Sequence, residues 1–263
     1  MSLKNNPSLG QNWLKDRATL EAIADLACDF PESSLENPPR LCLEIGPGLG
    51  TLTSSLLKRF DKVLAVEFDT QLAAHLPKSF PGKNLEVVNQ DILQFDFSQL
   101  AEPYAVAGNI PYYITTPIIE KLLLESRAEK IVLLVQKEVA EKVAALKGNS
   151  SLSLFVDNFA VASLGPVVPR ALFTPAPKVD SRILILEPRP APQTAPEDKV
   201  LEFIHRAFAN PRKKLSANLA AFIGLSKSEL EQLLAAHGFS PNVRPADLSL
   251  NDYASLAKTL KKR

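Results

Sequence analysis

Glu44-Ile45-Gly46-Pro47-Gly48-Leu49-Gly50-Thr51 is a glycine-rich stretch that follows directly on an apolar run. Glycines there let the backbone turn sharply and approach a ligand closely, and in an open parallel sheet the end of a strand is where ligands bind. Glu67 stands twenty-one residues after Gly46, at the end of a second apolar run. An acid at that place can accept hydrogen bonds from both hydroxyls of a ribose, so the pair points to an adenosine-containing cofactor. A nicotinamide dinucleotide would use the same pairing, but Gly46, Gly48 and Gly50 are spaced G-x-G-x-G, and Thr51 stands where the third glycine of G-x-G-x-x-G belongs. Asp91, after a third apolar run, offers an acceptor for an adenine amine, with Ile92 to stack beside it. In register with Gly46 and Glu67, Asp91 favours S-adenosylmethionine. We count Gly48 and Phe68 among the cofactor contacts as well.

A fourth apolar run leads into Gly108-Asn109-Ile110-Pro111-Tyr112-Tyr113-Ile114-Thr115-Thr116-Pro117. Asn109 to Tyr112 resembles the Asn-Pro-Pro-Tyr motif of methyltransferases that modify planar amines. Such an amine is a poor nucleophile because its lone pair is delocalised into the ring. If the Asn109 side-chain oxygen and a backbone carbonyl near Ile110 or Pro111 accept its two hydrogens, the nitrogen is biased toward a tetrahedral state, and positioning and electrostatics do most of the catalysis. Tyr112 would stack on a base that has left its helix, for roughly 1–3 kcal/mol against the few that flipping costs. Phe173, held by the prolines of residues 173–181, is the candidate for a second wall.

Other chemistries lack their parts. His75, His205 and His237 stand alone, without acids or cysteines at ligand spacing, so no metal is expected and a zinc deaminase is excluded. Neither a G-x-S-x-G nucleophile elbow nor a G-x-x-x-x-G-K-[ST] phosphate loop occurs. Cys28 and Cys42 read as reduced thiols.

The elements that must hold these residues alternate. Residues 41–45, 63–67, 85–89, 105–108, 131–135 and 182–186 read as strands, and 52–60, 71–79, 117–125, 137–146 and 151–159 as helices, after a first helix capped by Asp16. This order implies a parallel sheet covered on both faces. Residues 187–196 carry four prolines in ten and read as an extended linker. Beyond it, helices are expected over 198–209, 212–222, 227–236 and 250–262, with Ser226–Glu229 and Ser249–Asp252 at capping-box spacing and Gly224 and Gly238 at helix ends. The expected domains are therefore 1–187 catalytic, 188–197 linker and 198–263 helical.

A hydrophobic fraction of 46% supports a substantial core, and the longest apolar runs fall far short of the roughly 20 residues a membrane helix needs. No apolar leader is visible, so the cytoplasm is the expected compartment. Net charge is +1, yet from Val200 onward ten Lys/Arg face five acids, which leaves +5 there and −4 before it. A polyanion would meet the C-terminal part.

Taken together, the chain resembles the ribosomal RNA adenine dimethyltransferase family, which includes the bacterial small-subunit enzyme and the Erm-type macrolide-resistance enzymes. The likeness runs through Gly10-Gln11-Asn12-Trp13-Leu14, the glycine turn, Glu67, Asp91, Asn109 to Tyr112, Gln136-Lys137-Glu138 and residues 173–181. It implies a Rossmann-like class I S-adenosylmethionine-dependent methyltransferase with a mostly parallel seven-stranded sheet and a C-terminal all-helical, RNA-binding domain. It assigns cofactor contacts to Asn12, Leu14, Gly46, Glu67, Asp91 and Asn109. Thr116-Pro117 and the basic stretch Phe208 to Leu219, with Arg212-Lys213-Lys214, resemble the small-subunit enzyme. The implied activity is dimethylation of two adjacent adenosines near the 3′ end of 16S rRNA in an assembling 30S subunit, by a monomer. The alternatives are an Erm-type enzyme acting on 23S rRNA and an inactive RNA-binding module. Trp13 replaces the family's usual Phe, and Tyr113 a common Asn, which bears on how a once-methylated adenine is admitted.

Overall fold

The computed structural model describes residues 10–30, 40–100, 103–145, 148–195 and 199–261. They form two compact units. The first takes in residues 1–140 and 161–188, the second residues 141–160 and 189–263.

The first unit is built on a seven-stranded sheet: β2 (Leu41–Ile45), β3 (Lys62–Glu67), β4 (Leu85–Asn89), β5 (Tyr104–Asn109), β6 (Lys130–Gln136), β7 (Ala160–Val168) and β9 (Ser181–Pro188). Their order is β4-β3-β2-β5-β6-β9-β7, with β2 to β6 paired in parallel and β9 antiparallel to β6. The small extra pair is β1 (Trp13–Leu14) against β8 (Phe173–Thr174). Ile131 to Val135 are wholly buried, as strands covered on both faces must be, and each such side chain contributes roughly 1.5–3 kcal/mol. The helices are α1 (Arg17–Cys28), α2 (Thr51–Leu56), α3 (Thr70–Ser79), α4 (Thr115–Glu125) and α5 (Lys137–Val143). Asp16 does cap α1, accepting the Thr19 N–H at 2.8 Å. One sheet strand was not legible: β7 contains Gly165 and Pro166, which a strand tolerates at a sheet edge, where β7 lies. Cys28 and Cys42 are free thiols.

The second unit is helical: α6 (Ser151–Phe159), α7 (Val200–Ala207), α8 (Leu215–Ile223), α9 (Lys227–Ala236) and α10 (Leu250–Lys261). Ser226 and Glu229 form a reciprocal capping box, and Gly224 and Gly238 take positive φ at helix ends. The unit differs from the expected 198–263 by including α6, whose Leu154 packs into a cluster with Phe203, Leu219 and Tyr253. The proline-rich stretch is extended but is no free tether. Arg189 N–H bonds Phe159 O (2.7 Å), and the Thr194 N–H and hydroxyl both bond Asn158 Oδ1 (2.8 and 2.9 Å).

Candidate active site

The C-terminal ends of β2, β3, β4 and β5 lie side by side, because the strands run parallel and in register: Ile45 is opposite Val66 and Gly108, and Glu67 is opposite Asn89. Sheet order reverses between β2 and β5, and the crevice at such a switch point is where open α/β sheets bind ligands. A cavity opens there, lined by Asn12, Gly46, Glu67, Asp91, Asn109 and Tyr112 among others. Gly46 holds φ +65°, and a Cβ built on it would meet nothing within 4 Å, so the backbone itself faces open space.

Glu67 is 6% exposed. Its Oε2 accepts the Gly48 N–H (3.0 Å) and its Oε1 the Asp69 N–H (2.8 Å), so the glycine turn is tied to the acid it was paired with in sequence. Burial raises its pKa, against the pull of those two amides. Asn89 Nδ2 bonds the carbonyls of Glu67 (2.8 Å) and Phe68 (3.1 Å), fixing the chain there, and the Phe68 ring stands 61% exposed at the cavity. Asp91 Oδ1 caps a single 3-10 turn through the Leu93 N–H (2.9 Å), and Ile92, on that turn, is buried beside the cavity.

The N-terminal arm closes one side. Asn109 Nδ2 donates to Asn12 O (3.0 Å), which fixes the amide's orientation and leaves Oδ1 as the remaining acceptor. Asn12 Nδ2 in turn bonds Gly10 O (3.1 Å), and Tyr113, 63% exposed, lays its ring edge over Gly10, where an added Cβ would approach to 3.2 Å. Leu14 is buried and pairs with Phe173 across β1 and β8. Ile110 is buried behind the motif, and Pro111 O accepts the Ile114 N–H (3.3 Å). Tyr112 is half-buried with its hydroxyl 2.7 Å from Ser181 Oγ, and burial raises its pKa.

Phe173 requires a correction. It does not line the cavity; it is 4% exposed and packs in the core with Leu14, Leu20 and Val168. Its strand pairing turns the ring inward, so its effect on the site is to anchor the arm that carries Asn12. Residues 173–181 serve the site at their other end, where Ser181 meets Tyr112.

Glu44 was not singled out from sequence, although a charge inside the apolar run 41–45 was a visible signal. It is 1% exposed, lines the cavity, and neither carboxylate oxygen has a hydrogen-bond partner among the described residues. Burial, with Glu67 nearby, pushes its pKa up to about 8; the Thr53 hydroxyl tempers the rise without reaching bonding geometry.

A seven-stranded sheet in this order, with a glycine turn and two acids at the ends of its first three strands, defines the class I methyltransferase fold. A 23S rRNA methyltransferase, ErmE, superposes with a TM-score of 0.75 at 30% identity, covering 95% of this chain and 100% of that one. A dimethyladenosine transferase from Plasmodium falciparum gives 0.76 at 27%, covering 95% and 97%. The model of the ribosomal RNA adenine dimethylase family matches residues 2–262, and the chain belongs to that family. Among relatives, the ribosomal RNA small subunit methyltransferase A of Streptococcus pneumoniae (strain P1031) is 38% identical over 97% of this chain and 91% of its own. The protein of the same name from Lactococcus lactis subsp. lactis (strain IL1403) is 39% identical over 95% and 88%. The enzyme class is thus a methyltransferase of ribosomal RNA adenine.

Proposed function

We propose that the protein dimethylates the 6-amino groups of two adjacent adenosines near the 3′ end of small-subunit rRNA in an assembling 30S subunit, acting in the cytoplasm as a monomer with S-adenosylmethionine. The observation that carries the chemistry is Asn109, a residue lining the cavity, whose Nδ2 is engaged by Asn12 O so that Oδ1 remains as its acceptor. Relatives named for the small subunit, 38 and 39% identical, favour that substrate over the large-subunit one of ErmE, at 30%.

The residues present fit the cofactor. Glu67 suits ribose hydroxyls, Asp91 an adenine amine, and Ile92 and Phe68 the base faces. When bound, S-adenosylmethionine supplies an electrophilic methyl on sulfur. Asn109 Oδ1 accepts one hydrogen of the target amine. A backbone carbonyl of Ile110 or Pro111 takes the other. The nitrogen lone pair is thereby freed from the ring and aimed, with no strong base needed because the proton acidifies as the new bond forms. Tyr112 holds the flipped base against its ring.

In the helical unit, Arg206, Arg212, Lys213 and Lys214 are exposed, and Asn218 Nδ2 ties Ala207 O (2.7 Å) and Asn210 O (3.0 Å), holding the loop that presents the last three. Such a cluster suits phosphate contacts that position RNA without reading its sequence. Among the described residues no helix is long and apolar enough to cross a membrane.

The test is methyl transfer from labelled S-adenosylmethionine to unmethylated small subunits and, separately, to naked large-subunit rRNA. Label in small-subunit adenine is expected. Label confined to the large-subunit RNA would establish the Erm-type alternative instead.

A further inference from the structure

The two groups that must close on the target amine and its base stand at opposite ends of one short motif, yet each is held by a different segment. Asn109 is tied to Asn12 of the N-terminal arm, and the Tyr112 hydroxyl to Ser181 at the start of β9. The arm is carried by the segment before β9: the Lys15 N–H bonds Leu172 O (3.3 Å), and Leu14 pairs with Phe173. Arg170–Leu172 form a 3-10 turn whose N-cap, Pro169, brings no side-chain bond to the free N–H groups at its start. Asp180, ten residues after Arg170, supplies that bond. Its Oδ1 accepts the Arg170 N–H (2.9 Å), its backbone O accepts the Lys137 N–H (3.0 Å), and Arg170 Nη1 closes the loop on Lys178 O (3.2 Å). Asp180 therefore joins the segment that anchors the arm to Ser181, the next residue, which is wholly buried and paired with Gln136.

We propose that Asp180 is a positioning residue of the methyl transfer: by accepting the Arg170 N–H it sets the Asn109 amide and the Tyr112 ring at one fixed separation, so that the target amine and the face of its base are held together. The inference rests on the function proposed above. Asp180 acts through Ser181 on one side and through the N-terminal arm on the other, without touching the substrate. A carboxylate accepting a backbone N–H makes a stronger bond than a neutral acceptor does. Rates are steep in such placement, since a displacement of about 1 Å can cost about 100-fold.

Single-turnover methylation of unmethylated small subunits by the full chain tests this. Asp180→Ala should lower the rate at saturating substrate about 10-fold and leave half-saturation by small subunits within about twofold, whereas Asp180→Asn, which keeps an Oδ1 acceptor, should return the rate to within about threefold of wild type. Arg170→Pro deletes the same bond from the donor side, at a turn position that suits proline, and should match Asp180→Ala; Arg170→Ala keeps the N–H and should stay near wild type. The penalty of Ser181→Ala should largely vanish in the Asp180→Ala or Arg170→Pro background, as for groups acting in one chain. Wild-type rates for Asp180→Ala and Arg170→Pro, equal losses in Asp180→Ala and Asp180→Asn, or an undiminished Ser181→Ala penalty would overturn the proposal while leaving the reaction itself intact. Should Asp180→Ala fail to fold, the comparison of Arg170→Pro with Arg170→Ala decides. A wild type that transfers no methyl group to adenine would overturn the proposed function and this proposal together.

Discussion

Glu44→Gln should remove a pH dependence that the wild-type fold carries. The folded state holds the Glu44 proton up to a pKa of about 8, whereas the ordinary value is 4.5. Between those values the unfolded chain binds fewer protons than the native one, so unfolding becomes easier as pH rises, by about 1.4 kcal/mol per unit. The stabilisation is complete below pH 4.5 and is lost as pH climbs through 8. Over that window the loss accumulates to about 4 kcal/mol, a large part of the roughly 5–15 kcal/mol that holds a domain together. An amide mimics the protonated acid and cannot titrate. The assay is urea unfolding from pH 5 to 9, followed by Trp13 emission so that the transition reports on the sheet unit. Wild type and Glu44→Gln should be close at pH 5 and diverge toward pH 8, with the variant the more stable. Parallel curves, or a wild type that gains on the variant as pH rises, would refute the reasoning.

Asn109→Ala removes both the acceptor for the target amine and the tie to Asn12. Turnover should fall about 100- to 1000-fold, the usual cost of one preorganised electrostatic contact, while RNA binding measured by filter retention stays within about twofold. Ser181→Ala deletes the 2.7 Å bond to the Tyr112 hydroxyl and should slow single-turnover methylation about 3- to 10-fold, and combining it with Tyr112→Phe should cost no more than either change alone. Tyr113→Asn removes the exposed ring over Gly10, and the singly methylated adenine present early in a time course should pass to the dimethyl form faster than in wild type, read by mass spectrometry.

The site was legible in sequence wherever a residue ends a parallel strand. Gly46, Glu67 and Asn109 come together simply because β2, β3 and β5 run in one direction and in register, and Asp91 follows the end of β4. Residues whose role depends on what they pack against were harder. Phe173 reads equally as a wall or a core residue until the pairing of β1 with β8 turns it inward. The span of α6 was legible to the residue, but its unit was not, since an apolar helix face does not name its partner.

The most direct test of the account is mass mapping of rRNA after incubation of unmethylated small subunits with the protein and S-adenosylmethionine. Two neighbouring N6,N6-dimethyladenosines near the 3′ end of the small-subunit rRNA are predicted. A methyl group on any other atom or base, or none at all, would contradict the role given to Asn109 and its neighbours.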